Sequence, residues 1–418
     1  MTIPPPDGLT LRTLTPDDLD QVLDLDDLVF NQPPSSARLR DLHRGLHRLE
    51  RGRGIGVFDG DELVGVASLD GLTMSVPGGL APMAGVLLVG VKPTHTRRGV
   101  MTTMIGHQLR ALHDGGREPL AGLTATESAI YGRFGFGQAA YHAVFSVPEH
   151  RSGLRPVAGI SDVSLRLVPT ADSLEVCERI HGRQVGTRPG MLVRDDAWAR
   201  VYATDLDEWR RDASALRTVL AVRAGEPVGY TRYRSKDQRT GGLPSGYTEV
   251  VELFADDVAS FAALARYLMD LDLTGGVTFR RQPVDSPLLY LLTDMRAAQI
   301  GIRDGLYLRI VDVDRALALR TYSTPVDVVL EVADALCPWN AGRWRLTGDE
   351  KSASCVRVPD AEPDLTLDVR DLAAAFLGGS TLAALGHAGL VREQRDGALA
   401  CASRAFATDL APFLQFGI

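Results

Sequence analysis

Apolar positions alternate over residues 9–14 (LTLRTL), which predicts a strand. Thr15-Pro16-Asp17-Asp18 then supplies a capping threonine, a proline for the first turn and acids at the positive end of a helix dipole. Leu19, Val22, Leu23 and Leu25 give the following helix one apolar side. After a Gln-Pro-Pro-Ser-Ser break, a second helix is predicted through LRDLHRGLHRLE. GIGVFDGDELVGVASLDGLTMSV reads as two strands around an Asp-Gly-Asp turn, and VLLVGV as a strand of the buried type. A helix over 98–113, a strand AGLTAT, a short helix in SAIYGRFGF and a strand AYHAVFSV complete the region. That order predicts an α/β unit with a mixed sheet.

The pattern then restarts. VSLRLVPTADSLEVCERI is strand, proline, helix, and residues 195–210 read as a further helix. RTVLAVRAGEPVGYTRYR is a hairpin, and GYTEVVELFADDVASFAALARYLMDL is strand then helix, where VLLVGVKPTHTRRGVMTTMIGHQLRAL stood before. This is a degenerate internal repeat. Near the turn the second copy has Ala255-Asp256-Asp257 where the first has Arg97-Arg98-Gly99, so the second is expected to bind no phosphate. SPLLYLLTDMRAAQI is expected to be a buried helix. From about residue 306 a third unit opens with GLYLRIVDVDRALALRTY and continues through strands GRWRLT, ASCVRV and LTLDV to the apolar end LAPFLQFGI. The expected domains are 1–150, 151–303 and 304–418.

Composition narrows the function. Net charge is −8 over 418 residues, which argues against nucleic acid and fits a cationic substrate better. Four dispersed cysteines (Cys177, Cys337, Cys355, Cys401) form no CxxC pair and suggest neither a disulfide framework nor a zinc site. His43 and His47 are spaced for chelation on a helix, but Arg44 and Arg48 beside them oppose a cation, so no metal is expected. The start has no signal-peptide pattern and no run of about 20 apolar residues occurs, so no membrane partner and a cytoplasmic location are expected.

VGVKPTHTRRGVMTTMI, residues 89–105, carries the clearest chemistry. Amides at a helix N-terminus attract an anion, Gly99 removes a Cβ from its path, and Arg97 and Arg98 add planar donors suited to pyrophosphate. Val89 and Val91 end a strand just before Pro93. Should AGLTAT splay away there, their backbone groups stay open to an extended ligand with amides. A helix that merely starts with surface arginines fits the same residues. No GxxxxGK[ST] loop and no dinucleotide fingerprint occur.

The element order around this corner resembles the GCN5-related N-acetyltransferase (GNAT) superfamily, whose coenzyme motif is Arg/Gln-x-x-Gly-x-Gly/Ala. Here that frame is Thr96-Arg97-Arg98-Gly99-Val100-Met101, which departs at its first and last positions. With IYGRFGFG at 130–137, the duplicated second unit and the apolar end, nearly the whole chain resembles the Eis (enhanced intracellular survival) family. The resemblance implies an α/β (α+β) chain of tandem GNAT folds with mixed sheets: a catalytic domain, a degenerate central domain and a C-terminal sterol-carrier-protein-like domain. It implies acetyl-coenzyme A as cosubstrate, a homo-hexamer, and polyamine, aminoglycoside or lysine acceptors. Carried over by residue, Tyr131 is the general acid and the main-chain carboxylate of Ile418 the general base. Coenzyme contacts map to Val89, Gly90, Val91, Arg97, Arg98, Gly99, Val100, Met101, Thr102, Thr126 and Glu127.

The chemistry is coherent on its own terms. A base frees the amine, an amide near Val91 meets the oxyanion, and a phenol protonates the leaving thiolate. On the residues alone, Tyr131 also fits an aromatic packed at a short helix, and Phe413, Leu414 and Phe416 fit simple docking of the chain end into its own domain. Asp24, Asp26 and Asp27 are candidates for an acidic wall facing a polycation, or for a solvated helix face. Two other functions stay open: acetylation of protein lysines, and a non-catalytic acetyl-coenzyme A or lipid-binding module.

Overall fold

The computed structural model describes residues 3–45 and 53–418, in two compact units. One is drawn from residues 1–139, 306–408 and 417–418; the other from 140–305 and 409–416. Among the described residues no helix is long and apolar enough to cross a membrane.

In the first unit β1 (Leu9–Thr13) leads to α1 (Leu19–Val29) through a reciprocal cap, in which the Asp18 carboxylate accepts from the Thr15 amide at 2.8 Å. Helix α1 buries Val22, Leu23 and Leu25, the apolar side of its pattern. Helix α2 (Ala37–Gly45) follows. The rest of the expected second helix, with His47 and Arg48, lies outside the described residues. Strands β2 (Ile55–Asp59), β3 (Glu62–Val76) and β4 (Gly79–Val91) form an antiparallel meander. Helix α3 (Val100–Gly115) buries Val100, Met104, Ile105, Leu109 and Leu112. Strand β5 (Leu120–Leu123), the single turn α4 (Ser128–Tyr131) and the short β6 (Gly137–Gln138) complete this segment.

Its sheet is mixed, with order β1-β2-β3-β4-β5, then strand Tyr307–Ile310, then β6. Here the strand assignment differs from the expected one. Strand 307–310, expected to open the third unit, is antiparallel to both β5 and β6 and buried at all four positions. Its Arg309 guanidinium meets Asp334 at 2.6 Å, and Asn340 bonds both Asp334 and the carbonyl of Ile310, so that strand is tied to the following chain as well. Beyond it lies a five-stranded sheet, ordered Ala353–Arg357, Gly342–Gly348, Val326–Ala333, Leu365–Asp368, Val391–Glu393.

The second unit holds a seven-stranded mixed sheet with helices Leu174–Val185 and Val258–Met269 packed on it. Strand Tyr141–Pro148 sits inside this sheet, between Gln299–Asp304 and Gly276–Gln282, rather than closing the first region as expected. Its alternation explains the placement: Ala143, Phe145 and Val147 point into the core formed with Leu264, Leu268 and Phe279. Two helix expectations also change. Residues 195–210 break into Asp196–Ala203 and Asp207–Arg210. The apolar run after Ser286 is one helical turn, Leu288–Leu291, which buries Leu288 and leaves Tyr290 69% exposed.

Candidate active site

Strands β4 and β5 are hydrogen-bonded in parallel only over Met83–Gly85 and Leu120–Gly122, and beyond that point the sheet opens. A bulge lies in the free half of β4, where the register on β3 slips between Val66 and Ser68 and Leu88 adopts φ 52°. Lys92 donates its amide to Val64 on β3 at 2.8 Å. Ladder alternation then turns the peptide groups of Val91 to the opposite, open edge. Val89, Gly90 and Val91 therefore line a strand edge that has no partner strand beside it among the described residues.

The chain turns sharply after β4. Arg97 (φ 61°) and Gly99 (φ 92°) are both left-handed, and Gly99 is the N-cap of α3. No side chain caps this helix end. Its first intrahelical bond runs from Thr103 to the Gly99 carbonyl at 3.0 Å, so the amides of Val100, Met101 and Thr102 have no intrahelical acceptor. Arg97, Arg98 and Gly99 are exposed, and neither guanidinium has an ion-pair partner among the described residues. Open amides, a missing Cβ and two unpaired cations fit a pyrophosphate.

Tyr131 ends α4 and is 9% exposed. It packs in one apolar cluster with Val86, Ile105 and Leu123, edge-on to Phe136, while Val89 and Met101 border the same cluster. Burial, and then the charge of Glu127, raise its hydroxyl above the ordinary tyrosine value, so the phenol is protonated throughout the neutral range. Thr126 and Glu127 lie exposed between β5 and α4.

The last residue comes to this same unit. Thr124 Oγ1, one position past β5, donates to a main-chain oxygen of Ile418 at 2.6 Å. Sequence reasoning names Ile418 but not Thr124, because nothing local marks a contact across 294 positions.

The preceding residues, 409–416, are docked within the second unit. Ala411 accepts from Arg188 and donates to Asp285; the Phe413 amide donates to Pro189 at 2.8 Å. Gln415 is buried and fully paired: its oxygen accepts from the Leu192 amide, and its nitrogen donates to the Leu192 carbonyl and to His181 Nε2 at 2.9 Å each. That last bond needs a neutral imidazole, and burial followed by the nearby Arg194 charge pushes His181 down to about 3. The sequence docks Phe413, Leu414 and Phe416 into their own C-terminal domain; instead residues 409–416 belong to the second unit, because specific bonds to Arg188, Pro189, Leu192 and Asp285 add to apolar burial there.

The acidic wall is largely engaged already. Asp24 pairs with Arg40 at 2.6 Å, and Asp27 accepts from the amide and hydroxyl of Ser35. Among the described residues no three His, Cys, Asp or Glu side chains gather as a metal site.

Comparison with known proteins bears on the fold and the enzyme class. An acetyltransferase (GNAT) domain model matches residues 10–139, a second one matches 190–310, and a sterol carrier protein domain model matches 313–415. An uncharacterised N-acetyltransferase of Streptomyces avermitilis is 46% identical over 408 residues, covering 97% of this chain and 99% of that protein. The N-acetyltransferase Eis of Mycobacterium tuberculosis is 33% identical over 364 residues, covering 85% and 86%. Among solved structures, Eis1 from Mycobacterium abscessus matches with a TM-score of 0.82 at 32% identity, over 98% of this chain and all of that one. A GCN5-related N-acetyltransferase from Anabaena variabilis reaches 0.84 at 20% identity, over 98% of this chain and 100% of that one, which speaks for the fold alone.

Proposed function

Because the chain belongs to the Eis family of GCN5-related N-acetyltransferases, and so is an acetyl-transferring enzyme, we propose that its acceptors are amines of polycationic small molecules such as aminoglycosides, modified at one or several positions. The observation that carries the site assignment is the main-chain oxygen of Ile418 held by Thr124 just past the end of β5, on the strand whose separation from β4 opens the sheet.

Acetyl-coenzyme A supplies a thioester, and the acceptor supplies an amine that is mostly protonated at neutral pH. In this reading the Ile418 carboxylate takes the amine proton, directly or through one water. The amine nitrogen bonds to the acetyl carbon, the carbon–sulfur bond breaks, and the second proton that the nitrogen sheds restores the Tyr131 phenol through water. The Val91 amide, on the open edge of β4, meets the negative charge that passes through the acetyl oxygen. Tyr131, whose phenol stays protonated at neutral pH, gives its proton to the departing sulfur. The amides of Gly99, Val100, Met101 and Thr102, with Arg97 and Arg98, hold the pyrophosphate. Val89, Gly90 and Val91 hold the amide-bearing arm, while Thr126 and Glu127 border it.

Support for a cationic acceptor comes from the net charge of −8, since Asp24 and Asp27 are already engaged. The reading includes a homo-hexamer in the cytoplasm that uses neither nucleic acid nor membrane as partner. A monomer in sedimentation would remove the assembly from it. The deciding experiment is mass spectrometry of products after mixing untagged protein, acetyl-coenzyme A and a panel of aminoglycosides and linear polyamines. Mass gains of one or more acetyl groups are expected. No gain across the panel, with the coenzyme still bound, would turn the reading to a protein lysine as acceptor.

A further inference from the structure

We propose that Thr124 is a positioning residue for acetyl transfer: its hydroxyl orients the terminal carboxylate of Ile418 so that one oxygen is held and the other is free for the amine proton. The inference rests on the assignment of that carboxylate as general base. A hydroxyl-to-carboxylate bond of 2.6 Å lies in the range of charge-assisted bonds. In that assignment the carboxylate is the main-chain group of Ile418, which follows the exposed Gly417. Thr124 is itself well placed to be firm. It directly follows Leu123, which is buried in the cluster that holds Tyr131 and is paired in register with Tyr307. A general base gains its effect from being held within reach of one proton, and a small misplacement costs on the order of a hundredfold in rate. The strand end thus does for a main-chain carboxylate what a packed rotamer does for a catalytic side chain.

The test is a double-mutant cycle between Thr124→Val and a chain extended by two residues at its C-terminus, which moves the carboxylate away. In the unextended chain Thr124→Val is expected to lower kcat by roughly 10–100-fold, with acetyl-coenzyme A affinity in the binary complex kept within about twofold. Thr124→Ser, which keeps the hydroxyl, should restore kcat to within about threefold. In the extended chain, already slow, Thr124→Val should add less than about twofold. Thr124→Ala gives the same readout should valine disturb the strand end. Unchanged kcat in both Thr124→Val and Thr124→Ala overturns the positioning role, and so does an equal loss in the extended background. Full activity of the extended chain by itself would instead sink the assignment of Ile418 as base, so the two failures are told apart.

Discussion

The protein builds the same strand–turn–helix corner twice and finishes it in opposite ways. After β4, glycine caps the helix, and among the described residues it has no side-chain cap bond and the two exposed arginines have no ion pairs. After strand Tyr247–Ala255, Asp257 caps its helix through a reciprocal box: its carboxylate accepts from the Ser260 amide at 2.9 Å. Arg223 bonds the same carboxylate, and Asp256 is paired with Arg183. The amides that the first corner leaves open are, in the second, answered by the chain itself. A helix N-terminus becomes an anion site only when the local sequence declines to cap it. The short helical turns diverge too: Tyr131 is buried in the sheet cluster, whereas Tyr290 is 69% exposed.

The largest expected effect lies in that tyrosine pair. Tyr131→Phe removes the proton donor while leaving the ring in its cluster. General acid catalysis is worth about 10²–10⁴-fold, so kcat should fall by about a hundredfold or more. Coenzyme affinity, measured by calorimetry, should stay within about twofold, because the corner at Gly99 is untouched. Tyr290→Phe should change neither. If Tyr131→Phe kept its rate, burial of this tyrosine would mean packing alone, and the two tyrosines would differ only in location.

How much of this contrast was legible beforehand follows from the range of the interactions. Gly99, Arg97 and Arg98 declare themselves within three residues, and so does the Asp256-Asp257 replacement, because capping is local. The alternation of AYHAVFSV correctly marked a strand, but alternation names a buried face and not a neighbour. Placing residues 141–148 in one sheet and 307–310 in the other needed the packing partners. The apolar run 286–300 was misread as a helix for a related reason: short apolar runs do not distinguish helix from irregular chain. Thr124 and the Gln415 clamp join positions hundreds of residues apart, and no local pattern encodes them.

A smaller effect is expected from making the first corner resemble the second. Gly99→Asp introduces a carboxylate that competes for the open amides of α3 and repels phosphate. Charge-assisted bonds contribute about 1.5–3 kcal/mol each, so the KM for acetyl-coenzyme A should rise by roughly 10–100-fold. The rate at saturation should fall much less. Gly99→Ala separates the contributions: it adds only a Cβ at φ 92°, so it carries the backbone strain without the charge. Equal losses in both variants would show that backbone shape, and not vacancy of the amides, distinguishes the two corners.

The smallest effect, and the sharpest in what it separates, concerns Asp257. If the second corner is purely structural, Asp257→Ala should cost stability and nothing else. Loss of an aspartate cap typically costs about 0.5–2 kcal/mol. The Arg223 bond, stronger here than the opposing cost of burial, holds the Asp257 carboxyl below its ordinary value. A carboxylate depressed in the folded state stabilises at pH values above its unfolded pKa, near 4, and that contribution is lost as pH falls toward the folded one. The gap in urea midpoint between wild type and Asp257→Ala should therefore be full at pH 7 and shrink progressively below about pH 4. Coenzyme stoichiometry by calorimetry should stay at one per chain in both proteins. A change in that stoichiometry, in either direction, would mean that the central corner takes part in ligand binding after all, and that its cap had been guarding a second site rather than closing a vestigial one.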